Sequence, residues 1–217
     1  MSWFEVHELS LARGPRQLLD RLSFGLARGE AVLLQGPNGS GKSSLLRALL
    51  GLSIASGGEI RFDGERFAPG SGSLCPHALY QGHASGLKGE LDALENLKLA
   101  AALDGSPVDS AMMHAALAET GILREAGLAT RRLSQGQKQR LVLARFALAN
   151  QAASMPRPLW LLDEPSAALD RAGALMLDGL LADHLGRGGA AVIATHLPIL
   201  GASGSSDAGR PRTIELG

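Results

Sequence analysis

The residues of this chain best suited to chemistry on a polyanion run from Gly36 to Ser43, "GPNGSGKS". Gly36, Pro37, Asn38, Gly39, Ser40, Gly41, Lys42 and Ser43 fill every fixed position of the pattern G-x-x-x-x-G-K-[ST]. The segment lies between an apolar run, Ala31 to Gln35, and a stretch with helical periodicity, Lys42 to Leu50. Glycine lets successive backbone N–H groups turn inward around phosphate oxygens, where a Cβ would stand in the way. The helix that follows aims its positive N-terminus at the same anion. Lys42 is placed to reach the β- and γ-phosphates of a nucleoside triphosphate, Ser43 offers a hydroxyl to Mg²⁺, and Ser44 closes the phosphate-binding segment. An ordinary Gly-rich turn would need neither the strand before it nor the helix after it.

A triphosphate site also needs a carboxylate to hold the metal, and "PLWLLDEP" supplies one at the end of an apolar run. Asp163 is expected to hold Mg²⁺ through water. Glu164, one residue beyond the strand, is placed to polarise an attacking water as a general base. Alone, an Asp-Glu pair after a strand could simply cap a helix. In one chain with the phosphate loop, the catalytic reading is the better one.

These groups require a sheet that brings their strand ends together. "WFEVHEL", "AVLLQ", "EIRFDG", "PLWLLDE", "AAVIATH" and "RTIEL" have strand patterns, and the fully apolar ones suit a parallel sheet covered on both faces. Helical patterns occupy Lys42 to Leu50, Leu91 to Leu103, Ser110 to Glu119, Gln135 to Asn150 and Ala172 to His184. Strands cluster toward both ends, while the middle is helical and rich in Ala and Leu. The pattern predicts one α/β domain over 1–217, with a nucleotide-binding core at 1–87 and 151–217 and a helical subdomain at 88–150. "FAPGSGSLCPH" and "GASGSSDAGRPR" are expected to be surface loops.

Composition narrows the setting. The chain has 21 basic and 21 acidic residues among 217, no basic run interleaved with aromatics, and only 4% aromatic residues, so nucleic acid is not an expected partner. The single cysteine, Cys75, cannot form an internal disulfide and fits a reducing compartment. Glu5, His7 and Glu8 interrupt any apolar leader, and no window approaches the roughly 18 apolar residues of a membrane helix. The expectation is a soluble, cytoplasmic chain, any membrane role of which would come through a partner subunit.

Between the two motifs lies "RRLSQGQKQRLVLARFAL", in which Ser134 can cap a helix whose apolar face includes Leu141, Leu143, Ala144 and Leu148. "LSQGQ" with a basic helix, followed by "LLDEPSAALD", resembles the ABC-type ATPases over essentially the whole chain. The resemblance implies a P-loop NTPase (RecA-like) core of ABC ATPase type, with an inserted helical subdomain and a small N-terminal β element. In that family two ATPase units sandwich two ATP molecules. By similarity, Ser134, Gln135, Gly136 and Gln137 contact the γ-phosphate held by the other subunit, Asp170 in "SAALD" crosses the interface, and His196 in "VIATHLP" hydrogen-bonds the γ-phosphate. One unit is encoded, so a second copy or a homologous partner is implied.

Two positions depart from the family pattern. Where an aromatic residue often stacks on adenine, "LSLARGPRQLL" offers Arg13, whose guanidinium plane could stack instead or simply lie on the surface. Counting back from "LDALENL" to the residue that links Mg²⁺ and water to the transport subunit lands on His83, while the available glutamine, Gln81, stands two residues earlier.

"GHASGLKGELDALENL", the small size and the final "IEL" are similar to the ATP-binding subunits of the haem exporter of c-type cytochrome maturation. That resemblance implies integral membrane permease subunits, peripheral attachment to the inner face of the cell inner membrane, and no direct haem contact by this chain. The loop His83 to Gly89 and the helix after it are then expected to receive the membrane partners. Another small exporter, or a soluble ABC-type protein, are the competing readings. A P-loop kinase or GTPase is disfavoured, since no N-K-x-D motif is present and those enzymes lack an "LSQGQ" element.

Overall fold

The computed structural model describes residues 2–67, 74–105, 107–151, 157–167, 169–196 and 211–217. They form two compact units, one of residues 1–82, 157–165 and 184–217, the other of residues 83–156 and 166–183.

The first unit contains two sheets. β1 (Phe4–Arg13), β2 (Arg16–Leu26), β4 (Gly57–Phe62) and β5 (Glu65–Phe67) form an antiparallel sheet in the order β2-β1-β4-β5. β3 (Ala31–Gln35), β6 (Ala78–Gln81), β7 (Leu159–Asp163), β8 (Ala190–Ala194) and β9 (Arg212–Glu215) form a parallel sheet in the order β6-β7-β8-β3-β9. Every residue of β7 and β8 is buried, which explains why both are continuous apolar runs rather than alternating ones. β2, β5 and β6 were not legible in the sequence. β2 has irregular apolar spacing because its ladder with β1 shifts register between Val6 and Leu9 and twice more. β5 and β6 have three and four residues, too few for a periodicity to show.

The helix α1 (Lys42–Leu49) buries Leu45, Leu46, Ala48 and Leu49 in a core shared with Phe4, Val6, Leu9 and Ile60 of the antiparallel sheet and Val32, Leu34, Leu161 and Val192 of the parallel one. Each such fully buried aliphatic side chain is worth about 1.5–3 kcal/mol over its exposed state. The core therefore clamps the first residues of α1, which carry the phosphate-directed side chains.

In the second unit, α2 (Ala93–Asp104) starts two residues later than its periodicity suggests, because Asp92 and Glu95 make a reciprocal cap: each side chain accepts the other residue's backbone N–H. α3 (Ser110–Glu119) is capped by Asp109. α4 (Gln135–Gln151) buries Leu141, Leu143, Ala144 and Leu148, the face read from the sequence. α5 (Arg171–Gly186) contributes residues up to 183 to this unit and His184 onward to the first. Among the described residues, no helix is long and apolar enough to cross a membrane.

His184 is a buried group with a thermodynamic consequence. Its ring stacks on Trp160 of β7, with centroids 3.9 Å apart, and Nε2 lies 3.3 Å from the Ala190 carbonyl, so Nε2 carries the proton. Gly189 leaves room for the ring, since a Cβ there would overlap it. Burial pushes the imidazole down to about 4, against the backbone hydrogen bonds that favour its protonated form. In the unfolded chain it titrates near 6.5. The folded state resists a proton that the unfolded state accepts, so this contribution is fully present above pH 6.5 and is lost as pH falls toward 4. Between pH 7 and pH 5 the native protein is expected to lose about 2 kcal/mol more stability than His184→Phe. Urea unfolding at the two pH values reads this directly, and parallel losses would contradict it.

Candidate nucleotide site

The phosphate loop begins where β3 ends. Gly36 has φ +146°, and a Cβ on it would overlap the carbonyl oxygen of Leu216, just beyond β9. Leu216 in turn donates its N–H to the Gln35 carbonyl at 2.8 Å. Glycine at 36 is thus demanded both by backbone angle and by a neighbouring strand. Gly41 caps α1 with φ +104°, and its carbonyl accepts the Leu45 N–H at 2.7 Å. The first N–H groups of α1 have no acceptor one turn back and remain available to an anion.

Lys42 is only 8% exposed, and its ammonium turns back onto the loop. Nζ donates to the carbonyls of Gly36 at 2.6 Å and Pro37 at 3.2 Å, and lies 3.1 Å from Nε2 of His196. Among the described residues no carboxylate pairs with this buried ammonium, which is poised to exchange its carbonyl partners for a phosphate. Ser40 is also buried, Ser44 is half-buried, and Pro37, Asn38 and Gly39 are exposed on the outer side of the loop.

The register of the parallel sheet brings the carboxylates to the same edge. Asp163 is paired with Ala194, and Leu34 with Ala194, so the ends of β3, β7 and β8 are level. Ser43 Oγ donates to Asp163 Oδ1 at 3.0 Å, while Asp163 Oδ2 is buried without a hydrogen-bond partner. An orphaned carboxylate oxygen beside a serine hydroxyl fits a small hard cation that keeps most of its shell as water and phosphate oxygens. No cluster of three or more His, Cys, Asp or Glu exists among the described residues, which is compatible with that sparse kind of site.

Glu164 leaves the strand with φ +51°, a left-handed conformation costing a non-glycine residue about 1–2 kcal/mol. Its N–H is held by the Ala194 carbonyl at 2.8 Å. The carboxylate is turned toward His196, whose Nε2 lies 3.4 Å from Oε1. His196 thus stands between Lys42 and Glu164. Backbone strain at a residue beside such polar groups is characteristic of functional positions.

Gln81 ends β6, buried, with Oε1 unpaired, and Leu162 of β7 is its register partner. His83 is exposed and falls in the other unit. Arg13 is exposed at the tip of the β1–β2 hairpin. In the second unit, Ser134 and Gln137 cap α4 reciprocally: the Gln137 N–H donates to Ser134 Oγ at 3.2 Å and the Ser134 N–H to Gln137 Oε1 at 2.9 Å. Ser134 and Gln135 are exposed and Gly136 half-buried at that helix start. One contact escaped sequence reading: Gln137 Nε2 donates to Glu125 Oε1 at 3.2 Å, a pairing that no local motif announces.

Residues 19–167 match the family model described as "ABC transporter". The chain belongs to the ABC transporter family. It is 42% identical over 95% of its length to the cytochrome c biogenesis ATP-binding export protein CcmA 2 of Cupriavidus metallidurans, covering 97% of that protein. With CcmA of Pseudomonas aeruginosa the identity is 41%, over 88% of this chain and 92% of the relative. Among solved structures, an ATP-binding subunit of an ABC transporter superposes with TM-score 0.76 at 28% identity, covering 90% of this chain and 80% of that one. The ATP-binding cassette MJ0796, in a dimeric post-hydrolysis state bound to ADP and Pi, gives TM-score 0.74 at 25% identity, over 89% and 88% of the two chains. This ABC protein is an ATPase, and its parallel-sheet unit has the P-loop fold of the cassettes.

Lys42 is the residue whose removal tests the site most directly. Lys42→Ala is expected to weaken ATP binding by roughly 10–100-fold, the worth of one charge-assisted hydrogen bond lost in a dry site. Equilibrium titration with a fluorescent ATP analogue measures it, and unchanged affinity would remove Lys42 from the phosphate site.

Proposed function

We infer that this ABC ATPase drives a membrane export complex of c-type cytochrome biogenesis, acting in haem export or in release of the haem-loaded chaperone. The observation that carries the reading is near end-to-end similarity to cytochrome c biogenesis ATP-binding export proteins. The chain works as a homodimer, attached to integral permease subunits at the inner face of the cell inner membrane. It contacts neither haem nor nucleic acid.

In the proposed cycle, the backbone from Gly36 to Gly41 and the start of α1 cradle the phosphates, and Lys42 leaves its loop carbonyls for the β- and γ-oxygens. Ser43 and Asp163 hold Mg²⁺, which when bound neutralises charge developing on the phosphoryl group. Glu164 orients the attacking water and takes its proton, while His196 hydrogen-bonds the γ-phosphate. Ser134, Gln135, Gly136 and Gln137 of the second copy close the site, with Asp170 at the interface. Gln81 or His83 relays the state of the site to the permease, and Arg13 lies against the adenine.

Glu164→Gln keeps the shape of the side chain and removes the base. It is expected to bind ATP, to hydrolyse it roughly 10²–10⁴-fold more slowly, and to accumulate as a closed complex. Tagged Glu164→Gln, loaded with Mg·ATP and purified from detergent-solubilised membranes, should retain cytochrome c maturation permease subunits, identified by mass spectrometry. A different permease would replace the cargo, and recovery without any membrane protein would overturn the export reading.

A further inference from the structure

The helical unit contains an ion pair whose arginine has no part in the nucleotide chemistry proposed for this chain. Arg140 lies in α4, one turn beyond Gly136 and Gln137, and its Nη2 donates to both carboxylate oxygens of Asp170 at 3.0 Å. Oδ1 also accepts the Gly173 N–H at 2.7 Å, and the Asp170 carbonyl accepts the Ala174 N–H at 2.9 Å. Asp170 is therefore the N-cap of α5, and the same carboxylate ties that cap to α4. The Gly173 hydrogen bond first, and then the Arg140 charge, hold the carboxyl below its usual range.

The arginine is the more fixed partner, with its side chain 23% exposed against 66% for the aspartate. Gly121, at the turn that ends α3, helps to place it: a Cβ there would come within 3.0 Å of Nη1. Asp170 follows Glu164 by six residues. The intervening chain includes a turn in which Leu169 donates its N–H to the Ser166 carbonyl at 3.1 Å. Three of the roughly four acceptor positions of the Asp170 carboxylate are thus occupied within its own chain.

We propose that Arg140 is a positioning residue of the ATPase, clamping Asp170 so that the segment running on from Glu164 enters α5 in one fixed geometry against the signature helix. The role is intrachain and precedes any contact with a second copy. Loss of the clamp leaves the phosphate loop untouched but frees the chain downstream of the general base. Its cost falls on turnover rather than on ATP binding.

The experiment is steady-state ATP hydrolysis by the full chain with its membrane partners retained. Arg140→Ala and Asp170→Asn are each expected to lower kcat roughly tenfold, as a small misplacement near a reacting group does, with KM for ATP within about twofold. Arg140→Lys, which keeps the charge, recovers part of the loss. The Arg140→Ala/Asp170→Asn double variant is no slower than the worse single one, because both remove the same interaction. Multiplying losses would assign Asp170 to a contact outside the clamp. Unchanged kcat in folded Arg140→Ala would remove the arginine from the mechanism. If Arg140→Ala does not fold, Arg140→Lys with Asp170→Asn carries the same comparison.

Discussion

A parallel sheet leaves all its carboxyl ends on one edge, and in this protein the nucleotide chemistry follows from which residues occupy that edge. β3 ends in the phosphate loop, β7 in Asp163 and Glu164, and β8 in the segment that reaches His196. Because Leu34, Asp163 and Ala194 are level in register, a hydroxyl from the start of α1 can reach a carboxylate 120 residues away in sequence. Shifting β7 by one residue would turn Asp163 to the opposite face and end that contact. The apolar character of these strands is therefore as functional as the polar residues at their tips.

The site holds its charges in an economical arrangement. One cation, Lys42, is buried among carbonyls; one carboxylate, Asp163, keeps an unpaired oxygen; and His196 separates the cation from Glu164. Direct pairing of Lys42 with a carboxylate would neutralise both groups that a phosphate and a metal need. The fold avoids it by giving Lys42 neutral acceptors and by turning Glu164 through a left-handed residue toward the histidine.

Much of this was legible in the sequence because phosphate chemistry constrains residue type and spacing together. In the structure Lys42 lies beside His196, His196 beside Glu164, and Ser43 on Asp163. What sequence could not supply were facts set by distant partners. Gly36 owes part of its identity to the Leu216 carbonyl, a contact between opposite ends of the chain. β2 hid because its register shifts scramble alternation, and α2 started late because a cap of two acidic residues outweighed the apolar period. Glu125 near Gln137 and Arg140 on Asp170 are tertiary pairings in which Glu125 and Arg140 look like ordinary surface charges in one dimension.

The place of β9 has a kinetic meaning. It pairs with β3 across about 180 positions of sequence, and Leu216 then covers the start of the phosphate loop. During synthesis on the ribosome β3 emerges well before β8 and β9, and both of its edges stay unpaired until those strands follow. Such late closure of a parallel sheet is slow and leaves an apolar edge exposed to other nascent chains. The phosphate loop, set against Leu216, takes its final form only once β9 has docked beside β3.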